Sequence, residues 1–351
     1  MDHQQPERQP FPPRFTTVAQ ALPVALRWFA TFEWAGSWWS WLWRNSAGVR
    51  FVVEAIAAVT IILGAWGVYE ELQQQDTDRL TRNAQLIAQV ADLAATDHKA
   101  ANAGIRSILA LLALEGVQLD RLSINGARLE HANLAGVKLP HSDLSGGFFY
   151  RADFSNADFD SALFIKADAT EANFIGANMQ YTEWGGALLS NSRFSQAGLY
   201  SADFDAVSAT GAEFDNAILE DAFLEGGDFT RASFYQAHLK GADLSGSTFR
   251  HANFLDANLT RASFIDANLE CAVLAAADLS GADLTGAALT GARLTGAMLN
   301  NAKVTQQQLD QACSRKGKTP PALPKGLVWH GNACGKCPAS VTSPSKVSSS
   351  Q

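Results

Sequence analysis

The sequence predicts a β-solenoid, a rod of short strands wound into a coil, preceded by a membrane-spanning helix. From Leu119 to Val304 every fifth position is apolar, and 36 of these 38 positions hold Leu, Phe, Ile, Met, Val or Trp. Of the 38 positions two residues earlier, 28 hold Ala. A period of five matches neither the 3.6-residue period of a helix nor the two-residue period of a strand. The five-residue repeat is therefore the structural unit, as in a solenoid.

The sorting of residue types at every twentieth position indicates the length of one turn. Leu fills the series from Leu199 to Leu299 at this spacing. A parallel series holds only Phe, and we expect it to form the structural core: Phe154, Phe174, Phe194, Phe214, Phe234 and Phe254. Like residues that stack on successive coils fill the interior of a β-helix as ladders. Four units then make one square coil of twenty residues, and the 38 units make about nine coils.

The repeat units resemble the pentapeptide-repeat family, whose motif runs Ala, Asp or Asn, Leu or Phe, and two variable residues. Matching stretches are AHLKGADLSG at 237–246, ANLTR at 257–261 and ADLSGADLTG at 277–286. The resemblance covers residues 117–304 and implies a right-handed quadrilateral β-helix whose small and central residues point inward. Because a fold of this kind hosts many roles, the resemblance says less about function.

An apolar run precedes the repeat. Residues 51–69 contain one charge, on Glu54, and approach the ~20 apolar residues that cross a bilayer. We predict a transmembrane helix here; a buried core helix is the alternative. Residues 1–50 are predicted to form an N-terminal arm with a Trp-rich segment lying in the headgroup layer. Its six Trp residues are Trp28, Trp34, Trp38, Trp39, Trp41 and Trp43.

Two observations favour opposite sides of the membrane for the rod. Within twenty residues of the apolar run there are two Arg on each side, so the nearest charges do not decide. Three further Arg in the N-terminal arm favour a cytoplasmic N-terminus and a rod outside the cytoplasm. The family resemblance favours a cytoplasmic rod, and the expectation of a single-pass membrane protein leans to that side.

The segments that flank the repeat are predicted to cover its ends. Residues 70–116 are expected to form juxtamembrane and N-capping helices, the first compatible with a short coiled-coil homodimer and the second starting after Asp97 as N-cap. A C-terminal capping helix is predicted over residues 305–314. Such caps cover core side chains and strand edges that an open coil would expose. Residues 315–351, rich in Pro and Ser, predict a disordered tail.

No catalytic or cofactor-binding residue is predicted. The sequence lacks a phosphate loop, a nucleophile elbow and a metalloprotease motif, and its seven His form no constellation. We therefore expect a non-enzymatic protein without a cofactor.

The late cysteines leave three alternatives open. Cys313, His330, Cys334 and Cys337 have the ligand types of a tetrahedral zinc site, but only one closely spaced cysteine pair is present. The second alternative is a disulfide, if this segment lies outside the cytoplasm, and the third is free thiols. We expect free thiols and no bound metal. Cys271 stands alone in the repeat and needs no function.

The rod is acidic, with 23 Asp and Glu against 12 Lys and Arg between residues 117 and 304. Eight acids fall between Arg193 and Arg231 with no base among them, and we call them the acidic belt: Asp203, Asp205, Glu213, Asp215, Glu220, Asp221, Glu225 and Asp228. Such a surface disfavours direct nucleic-acid binding and favours a basic protein partner. The predicted interaction residues are Asp205, Asp215, Glu220, Glu225, Tyr200 and Tyr235.

These features predict a membrane-tethered scaffold, or protein-interaction module, that presents an acidic β-helical rod. One alternative is a DNA mimic, because some quinolone-resistance members of the resembled family are acidic rods that engage DNA gyrase. The membrane anchor and the absence of an inserted loop depart from that pattern. The other alternative is a purely structural rod whose charge keeps it soluble.

Overall fold

The computed structural model describes residues 47–94, 99–314, 318–334 and 337. The predicted Trp-rich segment and Asp97 lie outside these residues. The described helices are α1 (Ala47–Ala94), α2 (Lys99–Leu114) and α3 (Gln306–Gln311). The chain divides into two compact units, residues 1–79 and 80–351, and α1 contributes residues to both.

Helix α1 contains the apolar run and continues for 25 residues beyond it, to Ala94. The first of the two helices expected in residues 70–116 is therefore an extension of the apolar helix. The large apolar side chains between Ile56 and Leu72 are all more than half exposed. Within the described part of the chain, no helix combines the length and apolar character needed to cross a membrane.

The rod consists of five-residue units in which the backbone pairs with the unit twenty residues further on. The parallel bridges begin at Gln118 with Lys138 and continue in steps of five to Asp283 with Lys303. From Leu119 to Leu284 the central residue of each unit donates its N–H to the next coil, as Phe194 does to the carbonyl oxygen of Glu213 at 2.6 Å. The twenty-residue coil thus has four faces, and each face is a stack of short parallel strands.

The last residue of each unit makes the corner, and its φ is positive at every unit from Gly116 to Asn301. Glycine adopts this backbone without steric cost, whereas other residues adopt it less readily. Many corners nevertheless hold Asn, Asp, Arg or Ser, and their φ values are 50–62°. The corner conformation is therefore imposed by closure of the coil, and glycine is favourable there without being required.

The interior is filled by ladders of identical rings. The six Phe from Phe154 to Phe254 are fully buried, and their centroids are 4.8–5.3 Å apart with interplanar angles of 3–15°. Trp184 stacks between Phe164 and Phe204, at 4.1 and 5.8 Å. Rings on opposite faces meet edge to face across the interior, as Phe194 and Phe204 do at 5.8 Å. The core is one continuous column of stacked and edge-on aromatic contacts, which then continues with Leu.

Helix α2 closes the N-terminal end of the rod. Ile105, Leu109 and Leu112 are buried and belong to the same apolar cluster as the first coils. Val90, near the end of α1, is also buried in this cluster. The Arg106 guanidinium donates to the carbonyl oxygen of Glu130 at 3.0 Å. The first coil is thereby shielded by helix side chains.

The C-terminal end is closed by α3 together with the segment that follows it. Thr305 is the N-cap of α3 in a capping box with Gln308, and Leu309 is buried. The Gln308 amide also donates to two carbonyl oxygens of the preceding coil, those of Leu284 and Ala287.

The structure differs from the expectation of disorder over residues 318–334. Ala322 forms a parallel bridge with Met298, and Ala333 forms one with Ser314. Leu323, Leu327 and Trp329 pack against the core. The Pro-rich composition suggested a tail, but these apolar side chains and backbone bonds cover strand edges that the last coil would otherwise expose. The rest of the predicted tail, apart from Cys337, lies outside the described residues.

Candidate interaction surface and cysteine pairs

The acidic belt encircles the rod. Numbering the faces from Asp203 along the chain, the first face carries Asp203, Asp205 and Glu225, and the second carries Asp228. Glu213 and Asp215 lie on the third face, and Glu220 and Asp221 lie on the fourth face and its corner. The predicted interaction residues therefore do not form one patch, and a flat partner can contact only some of them at a time.

Two of the four predicted interaction acids also hold the coil together. The Asp205 carboxylate accepts a hydrogen bond from the backbone N–H of Glu225 at 2.8 Å. Asp215 accepts from the backbone N–H of Tyr235 at 3.1 Å and from the Ser233 hydroxyl at 2.5 Å. Glu220 and Glu225 point outward from the same belt, with Glu220 half-buried and Glu225 exposed. Neutralising Asp205 or Asp215 thus changes coil stability as well as surface charge.

The first face brings an exposed aromatic side chain into the middle of acids. Phe223 pairs with Asp203 on one coil and with Asp243 on the next, and 49% of it is exposed. The units 182–186, 202–206, 222–226 and 242–246 of this face contain five acids and no Lys or Arg. We call the resulting surface the Phe223 patch: Glu183, Asp203, Asp205, Phe223, Glu225 and Asp243.

Within this patch the carboxyl group of Asp205 has a perturbed pKa. Its pKa is raised above the ordinary value, chiefly because the carboxyl group is partly buried, and further because Asp203, Glu225 and Asp243 are close. The hydrogen bond from the Glu225 backbone acts in the opposite direction. A basic group placed over the patch would relieve this repulsion, since an opposite charge favours the ionised carboxylate.

The two predicted tyrosines lie on other faces. Tyr200 is on the fourth face and meets Tyr181 edge to face at 5.6 Å. Tyr235 is on the third face, above Asp215. The sequence reasoning missed Phe223, although a large apolar residue directly before the central residue of a unit was the available signal.

The structure pairs all four cysteines. Cys313 is bonded to Cys334, and Cys337 is bonded to Cys271. The expectation of free thiols and of an isolated Cys271 is therefore wrong. The candidate zinc set is also divided, because its three sulfurs are in two different disulfides and His330 lies 2.7 Å from Asp310 through Nδ1. Cys271 was overlooked because its partner is 66 residues away in sequence.

Comparison with solved structures finds chains of low sequence identity to this one. HetL, a pentapeptide repeat protein involved in heterocyst differentiation regulation from Nostoc sp. strain PCC 7120, is 28% identical over 58% of this chain and 90% of its own, with a TM-score of 0.49. Full-length QnrB1, a plasmid-mediated fluoroquinolone resistance protein, is 22% identical over 57% of this chain and 94% of its own, with a TM-score of 0.30. A search of the curated proteins finds no match.

The family model for pentapeptide repeats matches in eight copies over five segments, residues 114–149, 152–183, 187–226, 228–266 and 267–306. Together these segments are more than half of the 351 residues. The architecture of such repeats is the right-handed quadrilateral β-helix, consistent with the twenty-residue ladders of this rod. The chain belongs to the pentapeptide-repeat family.

Proposed function

We propose that this protein is a non-enzymatic, membrane-tethered scaffold whose rod binds a basic protein surface through the Phe223 patch. The observation that carries the proposal is the exposed Phe223 side chain, which has acids before and after it on the same ladder. Protein interfaces commonly place an aromatic residue at the centre and charged or polar residues around it. The patch has this composition on a rigid, regular face.

The two components of the patch contribute differently to binding. Burying the exposed half of Phe223 would contribute on the order of 1 kcal/mol, since full burial of a Phe side chain is worth about 1.5–3 kcal/mol. The surrounding carboxylates accelerate encounter with a basic surface and exclude acidic competitors. The partner is thus expected to present an apolar pocket or side chain flanked by Lys or Arg.

The apolar part of α1 supports a membrane tether. Ile56, Ile61 and Ile62 are 54–72% exposed, and at about 100° per residue they point in three directions more than 90° apart around the helix. A helix with apolar side chains on all sides requires an apolar environment. The run of residues 51–69 carries one charge, on Glu54, and approaches the ~20 apolar residues that cross a bilayer. The side chains of its first five residues are not described.

The disulfides support a location of the rod outside the cytoplasm. Stable disulfides persist in oxidising compartments and are rare in the cytosol of most organisms. This reverses the cytoplasmic lean of the sequence expectation and agrees with the Arg residues of the N-terminal arm. Thiol labelling of intact cells, before and after reduction, measures the side: the rod cysteines should react with a membrane-impermeant maleimide only after reduction.

Binding through the Phe223 patch is tested by co-purification from detergent-solubilised membranes at low and high salt. The wild-type protein and Phe223→Ser are compared with Ile265→Ser, which removes another exposed apolar side chain from the same face. A specific partner should be retained by wild type and Ile265→Ser, lost with Phe223→Ser, and weakened as salt shortens the Debye length to about 8 Å or less. Equal retention by all three proteins would reduce the patch to a solubility feature.

A further inference from the structure

One corner of the rod forms a column in which four successive coils carry Arg231, His251, Cys271 and Gly291. Gly291 has no side chain, and the space beside it is occupied by Cys337 from the C-terminal segment. A Cβ atom on Gly291 would lie 3.3 Å from the Cys271 sulfur and 3.5 Å from the Cys337 sulfur. The glycine therefore makes room for the approach of Cys337 to this corner.

Three potential metal ligands meet at this corner. A ring nitrogen of His251 and the Sγ atoms of Cys271 and Cys337 all lie within 4.8 Å of one another. Independently, the Nε2 atom of His251 is buried and has no hydrogen-bond partner. Buried polar atoms are nearly always paired, so an unpaired imidazole nitrogen beside two sulfurs requires a physical explanation such as an ion.

We propose that, in its dithiol state, this corner binds a zinc ion through His251, Cys271 and Cys337. Tetrahedral zinc has Zn–S distances of about 2.3 Å and Zn–N distances of about 2.0–2.1 Å, which place neighbouring ligand atoms about 3.5–3.8 Å apart. The two sulfurs must separate from their bonded distance, and the imidazole nitrogen, which lies within 4.8 Å of both, must approach by no more than about 1.3 Å. The fourth position is open to water or an exogenous ligand.

Zinc binding by the two thiols does not change the oxidation state of sulfur. Each thiol loses one proton when its thiolate binds the metal, so two protons are released for each zinc bound. In the disulfide state the same sulfurs are bonded to each other and offer no thiolate. Disulfide formation and zinc binding are therefore mutually exclusive, and each of them fastens Cys337 and the segment before it to the last coils of the rod.

The test uses the full chain in detergent, with Co²⁺ as a spectroscopic probe and Zn²⁺ as competitor. A water-soluble phosphine first reduces the disulfides; it is oxidised to the phosphine oxide with an oxygen atom from water, and each disulfide gives two thiols. The reduced wild type should show sulfur-to-cobalt charge transfer and a tetrahedral visible band that zinc abolishes. The oxidised protein should show neither. Absence of both bands from the reduced protein would overturn the proposal.

Matched variants identify the site. His251→Asn and the double variant Cys271→Ser/Cys337→Ser should lose the tetrahedral band, whereas His330→Asn and Cys313→Ser/Cys334→Ser should keep it. An unchanged band in His251→Asn, or its loss in His330→Asn with a native circular dichroism spectrum, would place the metal elsewhere and overturn the assignment. Because substitutions can impair folding, a second measurement uses the reduced wild type alone. Zinc should slow maleimide labelling of Cys271 and Cys337, read by mass spectrometry, by about tenfold or more, and equal rates with and without zinc would also overturn the proposal.

Discussion

Truncation of one ring in the Phe ladder should destabilise several coils at once. Phe214 is fully buried, stacks on Phe194 and Phe234 at 4.9 Å each, and meets Phe204 edge to face at 5.7 Å. Phe214→Ala removes these three contacts and a fourth, the edge-to-face contact with Phe229 at 6.2 Å. It leaves a cavity in an interior that cannot collapse along the rod axis. The expected loss in the free energy of unfolding is about 3–5 kcal/mol, a large part of the ~5–15 kcal/mol that stabilises a typical domain.

The assay is urea unfolding combined with hydrogen exchange of the backbone amides. In a one-dimensional array each coil is stabilised by its neighbours, so amides in the coils around Phe194 and Phe234 should exchange faster, while those near α2 change less. Phe214→Leu, which retains most of the volume, should lose about 1.5 kcal/mol or less. Ile218→Ala is the matched control, because Ile218 is in the adjacent unit and 47% exposed. Equal destabilisation by Phe214→Ala and Ile218→Ala would refute the inward assignment.

Three further outcomes are expected. Hydrogen bonds from the Lys303 ammonium and the Thr285 hydroxyl lower the pKa of Asp283 to about 2. The stability that the ionised Asp283 contributes is therefore complete above the ordinary carboxyl pKa and is lost as pH falls through about 2. Lys303→Met should raise the Asp283 pKa in an NMR titration, and an unchanged value would contradict the pairing. Asp215→Asn should lower the free energy of unfolding by about 1 kcal/mol in urea melts, because its hydrogen bonds to Ser233 and Tyr235 become weaker. Glu220→Gln should have no measurable effect. Equal effects of the two substitutions would contradict the structural role of Asp215. Alkaline carbonate washing should leave the full chain in the membrane pellet and release a fragment beginning near residue 100, and release of the full chain would contradict the tether.

The interior of the rod could be predicted from the sequence because the pattern is strictly local. A unit of five residues places its first and third side chains inward whatever the other units contain, and the spacing of Phe194 and Phe214 fixes the length of the coil. The N-terminal cap could be predicted for a similar reason, since Ile105, Leu109 and Leu112 follow helical spacing beside an end that must be covered.

The candidate sites were harder to predict from the sequence, because they are formed by residues on different coils. Phe223 becomes the centre of a patch only when Asp203 and Asp243 are placed on its ladder. Cys271 and His251 are twenty residues apart, so the length of the coil predicts that they are neighbours at one corner of the rod. Cys337 could not be placed with them, because it comes from a segment whose composition predicted a disordered tail. The zinc set based on Cys313 and His330 followed sequence proximity, whereas the structure groups ligands by coil position.

The most direct test of the scaffold proposal is site-specific photocrosslinking at the Phe223 patch in intact membranes. A benzophenone amino acid replaces Phe223, and in a parallel protein it replaces Phe148. The Phe148 side chain is 39% exposed on the second face, where its ladder neighbours are Arg128 and Asp168 rather than two acids. Irradiation should give one discrete protein adduct from position 223, diminished when Asp203 and Asp243 are changed to Asn, and none of the same mass from position 148. No adduct at position 223, or the same adducts from both positions, would contradict the claim that the rod binds a basic partner through this face.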